Sequence, residues 1–202
     1  MPIVVASGRN AGAGWGSIFP KCFSANTQRQ MVEESSVLRD TSSVRDFREA
    51  HITPEGRVYS QTKHWVSEPG PVLEAFHESV ELVGIVERFS NRRMFPTRGA
   101  YIYYSVGGSV GLHTDVSTCQ FSVLVPVVNA GEIVAHPELD GRPSEELLAL
   151  SVKFDGHPPS GVPVPYPKNG ALIIEGSRVP HHRPPTDSPT IIAALCFDSV
   201  GI

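Results

Sequence analysis

The feature that most constrains the fold is a series of short apolar runs in the second half of the chain. From residue 98 onward these runs are rich in β-branched and aromatic residues, and turn-forming residues bound each of them. They read AYIYYSV, FSVLVPVV, GEIVA, LSVKF, GALIIEG and PTIIAALCFD. Short strands that follow one another without alternating helices favour a sandwich, barrel or jelly roll over a parallel α/β sheet. The sequence therefore predicts a mainly β fold.

The N-terminal half has a different pattern, which predicts helices packed against the β core. Residues 1–25 are rich in Gly, Ala and Ser and show little periodicity, as is typical of a loose arm. Residues 26–49 favour one or two short surface helices. Pro71 stands where a first helical turn tolerates proline, and apolar residues recur at helical spacing as far as Val86. We therefore predict a helix over 71–88.

The length of 202 residues is typical of one domain, within which we expect two regions. Residues 1–97 are predicted to form the arm and a helical buttress, and residues 98–202 the jelly-roll core. An insert at about 136–169 interrupts the core. Within it, PSEELLALS predicts a short helix, and GHPPSGVPVPYPKNG contains too many prolines to lie within a sheet.

Composition limits the environment and the partners. The net charge of −4 argues against nucleic acid and against an anionic membrane surface, and no apolar run approaches the roughly 20 residues that span a bilayer. Three widely spaced cysteines without a CxxC pair predict no disulfide framework and a reducing compartment. The first residues are not typical of a signal peptide. We expect a cytoplasmic protein with a small-molecule partner; the oligomeric state is not indicated.

The arginine-rich stretch RFSNRRMFPTR, residues 88–98, has three interpretations. Cations interleaved with aromatic residues occur in proteins that bind single-stranded nucleic acid. Cations also suit the C-terminal end of a helix because of the helix dipole. The third interpretation is the recognition of a carboxylate on a cosubstrate or substrate. The acidic charge of the whole chain disfavours the first of these.

The segment GLHTDVSTCQFSVLVPV places His113 and Asp115 two positions apart, just ahead of a strongly apolar run. Residues two apart on a strand point to the same side, so an imidazole nitrogen and a carboxylate oxygen can face one point. Downstream, LIIEGSRVPHHRPP offers His181 or His182 as a third ligand. Two histidines and one carboxylate leave open positions on a metal, as in the facial triad of non-haem Fe(II) oxygenases. The other five histidines are predicted to be surface or hydrogen-bonded residues.

At these residues the chain resembles the 2-oxoglutarate/Fe(II)-dependent dioxygenases. YIYYSVGGSVGLHTD is similar to their Y-x-x-G-G…H-x-D entry, and GALIIEGSRVPHHRPP to the segment that carries their distal histidine. The resemblance covers about residues 100–197. It implies a double-stranded β-helix, which is a jelly-roll or cupin-like fold, with iron at one open end bound by His113, Asp115 and His181. His182 remains the alternative to His181.

The chain departs from the family pattern at the cosubstrate. Family members commonly hold the far carboxylate of 2-oxoglutarate with an Arg or Lys on the strand after the distal histidine, and SPTIIAALCFD contains neither. A buried carboxylate without a partner is too costly. The predicted substitutes are Arg98, Arg183 and Lys153, in that order, with Thr190, Tyr101 and Tyr103 as further hydrogen-bond donors.

The resemblance implies an enzyme that uses Fe(II) and 2-oxoglutarate to hydroxylate, desaturate or cyclise a small molecule, such as an amino acid or a natural-product intermediate. Two alternatives stay open. The first is a cupin-like metal enzyme without 2-oxoglutarate (a dioxygenase, an isomerase or an epimerase), which the missing basic residue favours. The second is a non-catalytic jelly-roll binding module, in which the same three side chains only form hydrogen bonds.

Overall fold

The structure, a computed structural model, describes residues 3–4, 15–129 and 131–199, so residues 1–2 and 5–14 of the predicted arm lie outside the described residues. Its helices are α1 (Ala25–Leu38), α2 (Pro71–His77), α3 (Val80–Ser90) and α4 (Ser144–Lys153), with 3-10 turns at Arg39–Thr41 and Pro137–Leu139. The strands before residue 90 are β1 (Ile3–Val4), β2 (Gly16–Pro20), β3 (Ser43–Phe47), β4 (His51–Ile52), β5 (Val58–Tyr59) and β6 (Thr62–Ser67). The strands after it are β7 (Met94–Tyr104), β8 (Val110–His113), β9 (Phe121–Val128), β10 (Glu132–Ala135), β11 (Val162–Pro165), β12 (Gly170–Ile174), β13 (His181–Arg183) and β14 (Thr190–Ser199).

The last eight strands form the predicted double-stranded β-helix. One half has the order β12-β9-β14-β7 and the other the order β8-β13-β10-β11, and all of these pairs are antiparallel. The chain moves between the two halves as it proceeds from β7 to β14, which is the connectivity of a jelly roll. The predicted mainly β, jelly-roll fold with N-terminal helices packed against it is therefore confirmed.

Strands from the N-terminal half extend this core. β2 pairs with β12, β6 pairs with β7, and β3 pairs with the opposite edge of β6. One bridge from Thr62 to Val110 then connects β6 to β8. The separate hairpin β4–β5 lies beside β8, where the Tyr59 and His113 rings are 6.4 Å apart. Residues between 45 and 66 thus form one wall of a cavity inside the barrel.

The two faces of the four-stranded sheet β12-β9-β14-β7 pack against different parts of the protein, because successive strand residues point to opposite sides. The outer face packs against helices α1, α2 and α3 through apolar residues that include Val123, Val125, Leu195 and Phe197. The inner face packs against the other sheet, β8-β13-β10-β11. Its residues Tyr104, Leu172, Ile174 and Ile192 form one apolar cluster with Val110, Ile133 and Val164 of that sheet. The inner cluster lies behind one end of the barrel, where a cavity remains.

Glu34 of α1 joins the helices to the outer face of the sheet. Its two carboxylate oxygens accept hydrogen bonds from the backbone N–H groups of Val72 (2.7 Å) and Leu73 (3.0 Å) in the first turn of α2. The Tyr101 hydroxyl donates to the same carboxylate at 2.7 Å. The Tyr103 hydroxyl donates to the Ser35 carbonyl at 2.9 Å. Both tyrosines therefore serve the contact between helix and sheet.

Several predicted elements differ from the structure. The helix expected over 71–88 is two helices, because Ser79 leaves the helical conformation and its hydroxyl accepts a hydrogen bond from Leu82 N–H as the N-cap of α3. The predicted strand LSVKF is the end of α4, continuous with the helix expected from PSEELLALS. The proline-rich segment does contribute β11, but as an edge strand, where missing N–H donors are tolerated.

Two further observations concern the environment of the chain. Cys119 and Cys196 form one disulfide between the loop before β9 and strand β14, whereas we expected no disulfide framework. Cys22 is a free cysteine, and burial raises its pKa to about 11. Within the described residues, no helix is both long enough and apolar enough to cross a bilayer.

We predict that Tyr101→Phe lowers the free energy of unfolding by about 1.5–3 kcal/mol, the usual range for a hydrogen bond to a charged group. Urea unfolding followed by circular dichroism measures this loss. In a double-mutant cycle with Glu34→Gln, the two losses should be less than additive because both variants remove the same bond. Unchanged stability of Tyr101→Phe would show that the hydroxyl does not support the helices.

Candidate metal centre

The structure brings His113, Asp115 and His181 together at one end of the barrel. His113 ends β8, His181 begins β13, and the two residues pair directly across the antiparallel ladder. Their Nε2 atoms lie 3.6 and 3.7 Å from Oδ1 of Asp115. One donor atom from each residue lies within 4.8 Å of the other two, the only such group among the described histidine, cysteine and acidic side chains.

Backbone carbonyls fix the orientation and the tautomer of both histidines. His113 Nδ1 lies 2.8 Å from the carbonyl of Gly111, and His181 Nδ1 lies 2.9 Å from the carbonyl of Val179. A carbonyl oxygen only accepts, so each Nδ1 must carry the hydrogen. In a neutral ring the Nε2 lone pair is then available, and both lone pairs face the same carboxylate oxygen. Histidines that bind a metal are held by this kind of second hydrogen bond.

The third side chain, Asp115, is fixed by two residues that the sequence analysis did not select. The hydroxyl of Ser122, on β9, donates to Oδ2, which leaves Oδ1 facing the histidines. Gly176, in the turn after β12, accepts a hydrogen bond from the backbone N–H of Asp115 at 2.9 Å. A Cβ atom at Gly176 would collide with Oδ2 of Asp115. Only glycine therefore allows the carboxylate its observed position.

Burial and neighbouring charges keep these groups in the protonation states that a metal requires. Burial alone would raise the pKa of Asp115, but the neighbouring His181 and His113 and the Ser122 hydroxyl lower it below its usual range. Burial, together with the neighbouring His113, lowers the pKa of His181 to about 4. At neutral pH the site thus contains an ionised carboxylate and a neutral His181, which is the form that coordinates cations.

The three side chains open into a cavity of about 330 Å³ between the halves of the barrel. Much of its wall is apolar and comes from β6, β7, β8, β9, β10 and β14, including Val66, Ile102, Val110, Leu124, Ile133 and Ile192. Its polar groups include Tyr59, His64, Tyr104, Tyr166 and four arginines: Arg45, Arg57, Arg98 and Arg183. An apolar cavity with convergent polar groups is the usual form of a small-molecule site.

Arg183 is the buried cation of this cavity, with 4% of its surface exposed. It lies two residues beyond His181 on β13, and both side chains line the cavity. Its guanidinium carbon is 4.5 Å from the centre of the Tyr104 ring and 5.4 Å from that of Tyr166. The aromatic faces stabilise the cation at this depth. Arg98 also lines the cavity, but it is exposed and lies nearer the open end. Its backbone pairs with that of Cys196 in the β7–β14 ladder.

The other predicted cosubstrate residues lie elsewhere. Tyr101 and Tyr103 share a face, as predicted, but it is the outer face beneath the helices, so their hydroxyls do not reach the cavity. Lys153 is an exposed residue at the end of α4. Thr190 is buried at the start of β14, and its hydroxyl donates to the carbonyl of Ser188 at 2.9 Å. None of these four is among the residues that line the described cavity.

His182, the alternative third ligand, points to the other side of β13. Its Nδ1 lies 3.0 Å from Nε2 of His136, whose Nδ1 is in turn 3.0 Å from Glu138 Oε1. The His157 ring packs edge-on against His182, with 5.2 Å between the ring centres. This buried chain of histidines lies behind the centre and does not contribute a donor to it. The alternation of side chains along β13 thus separates the two adjacent histidines.

Comparison with known proteins gives the fold and nothing finer. No protein-family model matches the chain, and no curated protein matches it. Solved structures do match: the non-haem α-ketoglutarate-dependent epimerase SnoN of nogalamycin biosynthesis has a TM-score of 0.68 and 10% identity over 92% of this chain and 78% of that one. At such identity the likeness is one of fold.

Two further solved structures share the fold. HygX from Streptomyces hygroscopicus, with nickel, 2-oxoglutarate and hygromycin B bound, has a TM-score of 0.63 and 13% identity over 92% of this chain and 83% of that one. A prolyl-4-hydroxylase from Pseudomonas putida has a TM-score of 0.59 and 11% identity over 93% of this chain and 94% of that one. The chain therefore has the fold of known 2-oxoglutarate/Fe(II) oxygenases over nearly all of its length.

We predict that Gly176→Ala weakens binding of Co(II), used as a spectroscopic substitute for Fe(II), by at least about tenfold, the range reported for the loss of a group that supports a ligand. The added methyl group must displace the Asp115 carboxylate. Titration followed by visible absorption measures the affinity, and circular dichroism checks the fold. Gly84→Ala, on helix α3, is the matched control. Equal affinities in the two variants would contradict the proposed contact.

We also predict that the metal-free protein loses stability between pH 7 and pH 5. Burial, with the nearby Arg45, lowers the pKa of His64 to about 3, well below the value of about 6.5 in an unfolded chain. Between these values the unfolded state binds more protons, so the free energy of unfolding falls with the pH, by up to about 1.4 kcal/mol per pH unit for each such histidine. Unfolding in the presence of a chelator measures the slope.

The variant His64→Gln should make this slope shallower, whereas the same change at the exposed His51 should leave it unaltered. Identical slopes in the two variants would show that His64 is not held neutral by its surroundings.

Proposed function

We propose that this protein is a non-haem Fe(II), 2-oxoglutarate-dependent oxygenase that acts on a small molecule. The observation that carries the proposal is the centre formed by His113, Asp115 and His181. Both imidazole Nε2 lone pairs face one carboxylate oxygen at the mouth of a jelly-roll cavity. Two nitrogens and one oxygen on one side of a metal leave the remaining positions open, as Fe(II) oxygenases require.

The side chains present fit an iron ion by their donor set and by their supports. His113 and His181 would bind it through Nε2, and Asp115 through Oδ1. The carbonyls of Gly111 and Val179 hold the rings, and Ser122 holds the carboxylate. The ion, when bound, supplies the activation of dioxygen that accompanies the decarboxylation of 2-oxoglutarate. The protein contributes the orientation of the substrate and the exclusion of water.

We assign the far carboxylate of 2-oxoglutarate to Arg183, in preference to Arg98. Arg183 lies two positions beyond His181, about 6.6 Å along the strand, a distance that suits a five-carbon diacid bound to the metal at its other end. Arg183 lies deep in the cavity, where a guanidinium gives two strong hydrogen bonds to a carboxylate. This arginine on β13 takes the place of the basic residue that β14 lacks. Arg98, at the mouth, lies beside the open end instead.

Two other functions remain as alternatives. A cupin-like enzyme with the same metal but without 2-oxoglutarate is favoured by the absence of Lys and Arg from β14. A non-catalytic binding module would use the three side chains for hydrogen bonds alone. Solved structures with this fold include an epimerase, a carbocyclase and a prolyl-4-hydroxylase, so the fold accommodates epimerisation, ring closure and hydroxylation. A cytoplasmic location also stays a prediction.

We predict that the anaerobic Fe(II) protein develops the visible charge-transfer band of an iron–keto-acid chelate when 2-oxoglutarate is titrated into it. His113→Ala, Asp115→Ala and His181→Ala should each abolish the band and lower the iron content. His182→Gln should retain both, because that side chain points away from the cavity. Iron binding without the band would favour the cupin-like alternative. Unchanged metal content in the three alanine variants would favour the binding module.

We predict that Arg183→Gln raises the dissociation constant of 2-oxoglutarate at least about 30-fold, since losing one partner of a buried charged pair costs about 2–5 kcal/mol. Titration of the charge-transfer band measures this constant. Lys153→Gln is the matched control and should bind as the wild type does. If Arg98→Gln weakens 2-oxoglutarate and Arg183→Gln does not, the carboxylate is held at the mouth, and our assignment is wrong.

A further inference from the structure

The cavity holds more positive charge than the proposed cosubstrate requires. Four arginines line it against two carboxylates, Glu55 and Asp115, although the whole chain carries a net charge of −4. Asp115 faces the metal centre. If Arg183 binds 2-oxoglutarate, the cations Arg45, Arg57 and Arg98 have no role in the proposed function. None of the three forms an ion pair within the described part of the chain.

Arg45 and Arg57 lie on one cavity wall, which strand β3 and the β4–β5 hairpin form and which we call the β3–β5 wall. Arg45 is on β3, directly paired with His64 of β6, and Arg57 immediately precedes β5. The β3 strand and the β4–β5 hairpin contact each other through Phe47 and Tyr59, whose ring centres are 5.4 Å apart. Tyr59 in turn lies next to the His113 ring. This wall therefore lies beside the proposed metal centre.

Two polar atoms on this wall are buried without a hydrogen-bond partner among the described residues: Nη1 of Arg57 and Nδ1 of His64. Nη1 of Arg57 is a donor, and leaving a buried donor without a partner is unfavourable, so a bound anion that accepts its hydrogen bond is favoured. Glu55 lines the same cavity, and its pKa is lowered by the Thr53 hydroxyl and by Arg57. Because Glu55 is fully exposed, water screens its charge and it does not neutralise the wall.

Arg98 supplies a third cation at the mouth. It lies on the inner face of β7, two residues before Ala100 and four before Ile102, both of which line the cavity. In the sheet it is level with Cys196 on β14 and Ser122 on β9. Ser122 holds Asp115, so Arg98 stands at the depth of the metal centre, two strands away. Arg98 and the β3–β5 wall line the same cavity as the metal centre.

We propose that the primary substrate carries an anionic group, a carboxylate or a phosphate, and that Arg45, Arg57 and Arg98 bind it at the mouth of the cavity. The apolar wall formed by Val66, Ile102 and Leu124 then contacts the uncharged body of the substrate. Guanidinium groups bind both kinds of anion through paired hydrogen bonds.

This inference rests on the proposed function, in which 2-oxoglutarate occupies Arg183, so the test first fills that site. The protein is loaded with Ni(II) and saturating 2-oxoglutarate. Isothermal titration calorimetry then measures the binding of benzoate and phenyl phosphate, with benzyl alcohol as the uncharged probe of similar size. The variants are Arg45→Gln, Arg57→Gln and Arg98→Gln. Arg93→Gln is the matched control, because Arg93 is exposed and does not line the cavity.

We expect at least one anion to bind the loaded wild-type protein at one site, at least tenfold more tightly than benzyl alcohol. The arginine variants should weaken that anion at least fivefold, the control should not, and the affinity for 2-oxoglutarate should stay within twofold. Comparing benzoate with phenyl phosphate distinguishes a carboxylate site from a phosphate site. Equal affinities for the anions and the alcohol would overturn the inference. So would arginine variants that weaken the binding of 2-oxoglutarate and leave the binding of the anion unchanged.

The proposed function can fail independently of this inference. A wild-type protein that binds neither Ni(II) nor 2-oxoglutarate would count against the oxygenase assignment. In that case the metal-free protein is titrated with the same probes. Anion binding that depends on Arg45, Arg57 and Arg98 would still support the anion site, and its absence would overturn it.

Discussion

The centre depends on one pairing in the sheet, that of His113 on β8 with His181 on β13. This register places two imidazole rings 4.4 Å apart at the open end of the barrel. Each ring is then tied through Nδ1 to the carbonyl two residues before it, so the backbone that builds the strands also sets the tautomer. A slip of either strand by one residue would turn its histidine to the other face. The proposed metal site is thus a consequence of strand register.

Side chains along β7 alternate between the two faces of the sheet, and the two faces have different roles. Tyr101 and Tyr103 point outward and hold the helices, whereas Ala100, Ile102 and Tyr104 point inward and line the cavity. The outer face stabilises the fold through Glu34 and an apolar layer, and the inner face is free to form a cavity. Because the cavity needs the other half of the barrel for its remaining walls, neither half forms it alone.

Much of this could be predicted from sequence because the signals are local. The H-x-D spacing, the strand-like runs and the H-H-R-P-P segment each lie within a few residues, and period 2 places His113 with Asp115. What could not be predicted depends on long-range packing. The sequence shows that Tyr101 and Tyr103 share a face, but not that helix α1 covers it. It shows no basic residue on β14, but not that Arg183 of β13 points into the cavity. The β3–β5 wall and Gly176 act through contacts across 50 residues or more.

The most direct test of the central claim is anomalous diffraction at the iron edge from crystals grown anaerobically with Fe(II). We predict one strong peak within about 2.3 Å of Nε2 of His113, Nε2 of His181 and Oδ1 of Asp115, a distance typical of metal–ligand bonds in proteins. A peak at the His136–His182 pair instead, or no peak at the three side chains when the crystals contain iron, would contradict it.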